Sequence, residues 1–504
     1  MQNVYFYFKF GNSKLLLKIM SNLQNFKITY SLIIGIGLTF YIIARIFLVP
    51  VSDDEYITVH FHASQNFWNI ITTGQTDLFW APNNHILNTI FMKIEILLFG
   101  RKDWAVRLHL VLAIVIGLFY SYKIISKFTS SEFRKSLYLL IIFFNPYLLD
   151  FFGLARGYAL SISAFIAAFY YLTEYSEHHS IKSLKYIFFW MFISIWSNFS
   201  ALYLLAGMIL ILMYELFKNK DLEIIKQHTI VSIISLSFIS IIIFLPLIRT
   251  IASGETYGGK TGLFSDCVVN YINQYIHHNP KIDRNKMIPP ELKLTQILGF
   301  ITFLLWISFQ AYSFLCKSNK LANKMHLQTF LLILVVAMIS KILFLYNGTP
   351  FPTGRTQLLF SIPFYLGICL AFERIISHTK AGNYLLYLCV SFLIWHFSYS
   401  VTFRNTIEWW QNGDAKIVVH YLKDIQDWNS TTRTIKLGAE QWQYHSLAFY
   451  TEVEFEGKME IFWTDLSSNQ YYDYLFVPNH REKEVFCEYD KIKEFKFCSL
   501  YKLR

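Results

Sequence analysis

A chain of 504 residues that is 54% hydrophobic, 18% aromatic and only 16% charged is too apolar to be covered by its own polar surface, since a soluble domain carries about 25% charged residues. This excludes a soluble globular protein and predicts a polytopic membrane protein. The formal charge of +11 does not call for nucleic acid, because the Lys and Arg residues fall in short clusters between apolar runs, the pattern of a positive-inside topology signal.

Residues 1–27 are basic and contain no acidic side chain, which predicts a cytoplasmic N-terminus. The first apolar run, 28–50, is long enough to span and lacks a small-residue cleavage site, so it reads as a membrane helix and not as a signal peptide. It is followed at once by Val51-Ser-Asp-Asp-Glu-Tyr56. Three consecutive acids at a bilayer boundary stay hydrated, bind a cation or do acid/base chemistry. The bland reading, a solvated helix terminus, competes on equal terms for any such trio.

From 51 to 104 the chain is mixed. His60, His62 and Trp68 fall on a short amphipathic segment, and Pro82-Asn-Asn-His85 is a polar knot in which Asn83 or Asn84 caps the next helix. Residues 86–100 run about 15 residues with Lys93 and Glu95 near the middle, which fits an interfacial helix better than a crossing. Later spans are then expected at 105–123, 135–150, 157–174, 183–198, 200–217, 229–248, 293–316, 327–346, 355–373 and 383–402. This register puts Lys123/Lys127/Arg134/Lys135, Lys182/Lys185, Lys218/Lys220/Lys226, Lys317/Lys320/Lys324 and Arg374/Lys380 on the cytoplasmic side. If 86–100 crossed, every one of these clusters would lie outside. Loop charge therefore selects about eleven spans, with the N-terminus inside and the C-terminus outside.

On that topology the outer face holds the 51–104 loop, a turn at 151–156, the loop 249–292, the turn Asn347–Gly354 and the tail 403–504. The tail, with helix-like 415–426 and strand-like 474–477, is expected to be a small mixed α/β domain. Of six cysteines, only Cys487 and Cys498 are placed to form a disulfide, should the tail be extracytoplasmic.

Company strengthens the acidic trio. Asp150 and Arg156 flank a short outer turn, where they either pair with each other or serve a site. Arg355 opens a span after a Pro/Gly turn; one guanidinium held there suits a phosphate, which Arg grips bidentately, and competes with simple snorkelling to lipid headgroups. His85 alone is more often a satisfied interfacial histidine than a ligand. Asp150 and Asp54 together raise the question of a divalent cation, Mg2+ or Mn2+, without a clear third ligand. No P-loop, dinucleotide fingerprint or nucleophile elbow is present.

The order of these features, an Asp-Glu motif after span one, then Asn-Asn-His-Ile-Leu-Asn88, Phe99-Gly-Arg-Lys-Asp-Trp-Ala-Val-Arg-Leu108, Asn145-Pro-Tyr-Leu-Leu-Asp150, Ala155-Arg-Gly-Tyr158 and Pro352-Thr-Gly-Arg-Thr356, resembles the GT-C superfamily of polyprenyl-phosphate-sugar-dependent glycosyltransferases. The nearest branch contains the protein O-mannosyltransferases and the lipid A aminoarabinose transferase of bacteria. The resemblance covers roughly 30–400.

It implies a GT-C-like α-helical fold around an outer-face cavity, with interfacial helices in the first outer loop and catalysis in 28–402. It implies Asp54 as catalytic carboxylate, acting as general base on the acceptor hydroxyl or amine, Glu55 as its neighbour, and Asp53 as the substitute should the register shift by one. Arg355, Arg156, Tyr158, His85 and Asn84 become substrate-binding candidates. The expected activity is transfer of a sugar from a polyprenyl-phosphate donor to a lipid, polysaccharide or protein acceptor on the periplasmic face of a bacterial inner membrane. Trp409-Trp-Gln-Asn-Gly-Asp414 lacks the Trp-Trp-Asp-Tyr-Gly pattern of oligosaccharyltransferases, so asparagine glycosylation is not carried over. The competing class is a transporter or flippase of an anionic lipid or lipid-linked sugar, which would show paired halves and broken midplane helices; a membrane-tethered binding protein would need featureless spans. Purified protein that transfers sugar with no sealed compartment separates the enzyme from the transporter.

Overall fold

The computed structural model describes residues 29–73, 85–218, 221–253, 258–269, 307, 320–426, 428, 433–455, 457–466 and 470–504. The first helix, α1 (Tyr30–Leu48), starts where the Thr29 side chain accepts the Leu32 N–H. Its 19 residues span about 28 Å at 1.5 Å per residue, matching a hydrocarbon core of about 30 Å. The first loop carries α2 (Asp53–Ile57), which continues as a π-turn to His62, then α3 (Phe67–Thr72) and α4 (Ile86–Phe99). At 14 residues, α4 reaches only about 21 Å, too short to cross. Its two charges turn to the protein: Lys93 donates to the Ala63 and Gln65 carbonyls (3.0 and 2.6 Å), and Glu95 accepts from the His109 backbone N–H at 2.6 Å.

The helices that follow are α5 (His109–Ser126), α6 (Glu132–Phe143), α7 (Pro146–Phe152), α8 (Tyr158–His178), α9 (Ile181–Ser197), α10 (Ala201–Lys218), α11 (Leu222–Ala252), α12 (Lys320–Asn347), α13 (Leu358–His378) and α14 (Ala381–Ser400). Among the described residues seven helices are long and apolar enough to cross a membrane, and the pair α6/α7 makes an eighth if counted as one span. The protein is a multi-pass membrane protein. Outward side chains such as Phe40, Ile241 and Leu388 are more than 60% exposed, as a lipid-facing surface requires.

The expected spans coincide with these helices except in two places. Residues 293–316 except 307, like 1–27 and most of 249–292, lie outside the described residues. And 135–150 is not one straight span: it breaks into α6 and α7 with a 78° bend. Pro146 has no N–H to continue the ladder, while Asn145 caps the new helix by accepting from Leu148 at 3.1 Å.

Helix α8 forms the centre of the bundle. Small residues let its neighbours approach, with Ser161 and Ser194 hydroxyls each donating to the other's carbonyl at 2.8 Å and Ser163 donating to Ala113 at 2.6 Å. One end of the bundle gathers the Arg107, 153–157, Ser197 and Arg355 positions. The other holds the basic clusters, with Lys127 against Glu174 and Glu177 (2.6 and 2.5 Å) and Lys324 on the Ser176 carbonyl.

Residues 401–414 run from α14 back over the first end. Beyond them the tail forms α15 (Ala415–Ile425), β1 (Ile435–Ala439), α16 (Gln441–Glu454), β2 (Met459–Trp463), β3 (Tyr474–Pro478), β4 (Tyr489–Glu494) and β5 (Cys498–Leu503). The sheet order is β2-β1-β3-β5-β4, parallel across β2-β1-β3 and antiparallel across β3-β5-β4. Its core is continuous with the first loop: Val51, Tyr56, Val59 and Met92 cluster with Val418, Leu437, Leu447 and Phe476. The pairing left open for Cys487 and Cys498 is not formed. Cys487 is exposed and Cys498 buried, both as free thiols, and Cys498 Sγ accepts from Gln443 at 2.8 Å.

The strap 401–414 is fastened by a buried ion pair. Arg45 on α1 meets Asp150 on α7 at 2.6 Å, and the same two side chains hold the Thr402 carbonyl and the Ile407 N–H. Arg45→Met leaves Asp150 buried without its cation, and we expect it to cost about 3–5 kcal/mol, seen as a lower thermal midpoint in detergent that Arg45→Met/Asp150→Leu largely restores. An unchanged midpoint in the single variant would show that the pair does not hold the strap.

Candidate functional site

Ser52 begins α2 with a capping box: its hydroxyl accepts the Glu55 N–H, and Glu55 Oε2 accepts the Ser52 N–H at 2.9 Å. Glu55 is fully buried and grips Arg107 through both oxygens (2.7 and 2.5 Å), while Oε1 also accepts the Ala155 N–H at 2.8 Å. Burial alone would raise its pKa; the Arg107 guanidinium outweighs this and holds the carboxyl below its ordinary value. Grouped with the catalytic candidates by sequence, Glu55 has no side open to a substrate. It anchors the motif.

The other two acids point elsewhere. Asp54 Oδ2 receives Arg355 Nη1 at 2.7 Å and Arg156 Nη2 at 3.0 Å. Burial pushes the Asp54 carboxyl up, but the two guanidiniums more than offset that and keep it ionised. A carboxylate gripped this way is a weak proton acceptor. Asp53 Oδ1 lies 2.6 Å from His445 Nδ1 on α16. Its pKa is raised, because burial outweighs the histidine bond.

Each arginine is positioned by its own turn. Gly157 sits at φ +73°, and a Cβ there would come 2.2 Å from the Ser197 carbonyl oxygen and 2.8 Å from His85 Nδ1; only glycine lets the chain turn after Arg156. Arg156 Nη1 also donates to the Asp54 carbonyl and the Thr58 hydroxyl (3.1 and 3.0 Å). Arg355 is the second residue of a 3-10 turn, Gly354–Gln357, whose Thr353 and Thr356 cap each other. Asp266, in the described part of the 249–292 loop, folds over this turn as its carbonyl accepts from Gln357 at 2.9 Å. Arg355 lies 5.5 Å above the Trp409 ring and 3.7 Å from Glu408, which also accepts from Tyr147.

His85 Nδ1 donates to the Ser197 carbonyl (2.9 Å) and the ring packs on Tyr158. Burial first, then the positive Arg156, keeps it neutral far below the ordinary imidazole value. His85 and Tyr158 thus form the wall beside the arginines, while Asn84 lies outside the described residues. Asp150 does not join Asp54. With its carboxylate on Arg45 and Ile407, and Asp54 on two arginines, the residues do not form a cation cage. Among the described residues the one group of carboxylates and histidine with suitably close ligand atoms is Glu174, Glu177 and His178, at the opposite end and already drawn to Lys127.

Several contributors carried no label in the sequence reading. Asn88 bridges the 153–157 turn, donating to Ala155 O at 2.7 Å and accepting the Gly157 N–H at 3.1 Å, and His109 connects it to Glu95. Asn88 and Arg107 lie inside the motifs Asn-Asn-His-Ile-Leu-Asn88 and Phe99–Leu108. Glu408 and His445 had no local signal; His445 is 392 positions from its partner.

No protein-family model matches the chain, and no curated protein matches it by sequence. Among solved structures it is similar to apo ArnT from Cupriavidus metallidurans, with a TM-score of 0.43 and 10% identity over 97% of each chain. It is also similar to the archaeal oligosaccharyltransferase AglB from Archaeoglobus fulgidus in complex with an inhibitory peptide and a dolichol-phosphate (0.49, 9% identity, 90% of this chain and 70% of that one). A third is the arabinosyltransferase EmbB from Mycobacterium smegmatis (0.37, 10% identity, 75% of this chain and 41% of that one). At these scores the chemistry of the site rests on its own geometry.

Histidines held neutral beside Arg156 give the site a pH signature. Burial, with Arg156 adding to it, lowers His62 to about 4, whereas the unfolded imidazole titrates near 6.5. Between these values the unfolded chain binds more protons, so stability rises with pH. The thermal midpoint should therefore fall as pH is lowered from 6.5 to 4, with a shallower slope in His62→Phe; equal slopes would remove His62 as a cause.

Proposed function

We propose that this protein moves a sugar from a polyprenyl-phosphate-linked donor to a lipid, polysaccharide or protein acceptor at the outer, periplasmic face of a bacterial inner membrane. The observation that carries the reading is the convergence of Arg156 and Arg355 on one oxygen of Asp54 at a mostly buried site. Two guanidiniums facing one anionic oxygen are a pre-arranged seat for a phosphate. The motif order that resembles GT-C glycosyltransferases supports the same reading. So does the clustering of functional groups at one end of the helices.

In this scheme Asp54 holds the arginines while no donor is bound. The donor phosphate takes their N–H groups over, bringing the anomeric carbon to the start of α2. As the bond from that carbon to the phosphate oxygen breaks, charge grows on the leaving phosphate, and Arg156 and Arg355 stabilise it. An outer-loop aspartate drives removal of the acceptor's proton on the other face of the sugar. The site's carboxylates do not fit a metal, and no step needs one. The loop-charge pattern, which favours the N-terminus inside and the tail outside, supports a periplasmic position for this end of the bundle.

Charge-assisted hydrogen bonds are worth about 1.5–3 kcal/mol each, so Arg355→Gln should weaken undecaprenyl phosphate binding by roughly 10- to 100-fold and abolish measurable transfer from labelled undecaprenyl-phosphate hexoses and pentoses. Asp54→Asn should bind the phosphate at least as tightly as the parent, since its competitor is gone. Wild-type turnover in Arg355→Gln, or no transfer by the parent from any such donor, would overturn the assignment.

A further inference from the structure

The pair Asp53–His445 is one of several contacts between the first loop and the C-terminal domain. Around it, Val51 N–H donates to the Tyr450 hydroxyl at 2.9 Å, Ser446 donates to the Val51 carbonyl at 2.6 Å, and Tyr56 donates to Glu452 at 2.7 Å. His445 is held in one orientation. Its ring stacks on Tyr56 (5.4 Å, 27°), meets Tyr444 edge-on (5.2 Å, 77°), and has Nδ1 on the Asp53 carboxylate at 2.6 Å. Both side chains are largely buried, 24% and 13% exposed, unlike a mobile surface ion pair. With the Nδ1 proton given to a carboxylate, a neutral imidazole presents the lone pair of Nε2. Asp53 is one residue from Asp54, and it lies within electrostatic reach of both Asp54 and Arg156.

We propose that His445, oriented by Asp53, is the general base of the transfer, so that the C-terminal domain supplies a catalytic residue to the site on the helical bundle. This rests on the glycosyl-transfer reading above and names the group through which the outer-loop aspartate acts. Nε2 takes the proton of the acceptor hydroxyl or amine as the acceptor atom bonds to the anomeric carbon. The carbon–oxygen bond to the polyprenyl phosphate breaks, and its electron pair leaves with the phosphate onto Arg156 and Arg355. Asp53 holds the resulting imidazolium, while Asp54 keeps its separate task with the arginines. The groups facing the pair are Asp54 and Arg156 on one side, and Tyr56, His60, Tyr444, Glu452 and Arg101 on the other; Arg101 and Glu452 form an ion pair, and His60 lies 3.6 Å from Glu452.

The test uses the full-length protein in nanodiscs, radiolabelled undecaprenyl-phosphate hexoses and pentoses, and membranes of a strain lacking the protein as the source of acceptor. A positioned base contributes about 10²- to 10⁴-fold. His445→Gln should lower kcat by at least 100-fold, leave undecaprenyl phosphate binding and the thermal midpoint unchanged, and remove the fall in kcat/KM toward acid pH. His445→Ala should regain part of the rate with added imidazole. Asp53→Asn should lower kcat while keeping phosphate binding. A His445→Gln enzyme with parental kcat or the parental pH profile overturns the proposal and leaves the transfer reading standing, whereas a parent that transfers no sugar from any of these donors overturns both.

Discussion

The bond between Glu55 and Arg107 is the constraint on which the site depends. Burying two charges is costly, and such a pair persists only when hydrogen bonds take up most of its lone pairs and protons. Here Arg107 places four of its five N–H bonds, two on Glu55 and one each on the Val49 and Pro50 carbonyls (2.6 and 2.8 Å), and Glu55 also takes Ser52 and Ala155. The end of α1, the start of α2, the approach to α5 and the turn before α8 therefore meet at one carboxylate. Because successive helical residues are turned by about 100°, pinning Glu55 inward directs its two acidic neighbours to different partners. Asp54 reaches the arginines and Asp53 reaches the C-terminal domain.

A second layer turns the meeting point into a site. Gly157, Asn88 and the Glu95–His109 pair hold the Arg156 turn, and the folded segment around Asp266 and Gln357 braces the Arg355 turn. The strap 401–414 adds Glu408 and Trp409 against Arg355, so the connection to the C-terminal domain forms one wall of the arginine site. Its opposing attachments, Arg45 to Thr402 and Asp150 to Ile407, lie on α1 and α7. The 78° bend at Asn145–Pro146 is what brings Asp150 under the strap. A straight span there, as hydropathy predicts, would carry that carboxylate elsewhere.

The charges in α4 show how far local reading goes. Lys93 and Glu95 were reason enough to keep 86–100 out of the bilayer, and the helix is indeed short; that Glu95 would orient His109, and His109 in turn Asn88, could not be read from a one-dimensional pattern. Whether Cys487 and Cys498 pair was open for the same reason, since spacing in a tail says nothing about which side of β5 a thiol faces; both are free thiols. Asp150 and Arg156 likewise sit six residues apart, yet take Arg45 and Asp54 and not each other.

By itself the sequence determined the membrane character, the positions of most of the described helices, the mixed C-terminal domain and the short list that contains Asp53, Asp54, Arg156 and Arg355. These follow from hydropathy, chain direction and local charge, which are properties of neighbouring residues. Only the tertiary structure decided which acid is an anchor, which holds the arginines and which meets His445. That choice depends on the rotation of α2 about its axis and on contacts spanning 301 positions to Arg355 and 392 to His445, where no short-range signal exists.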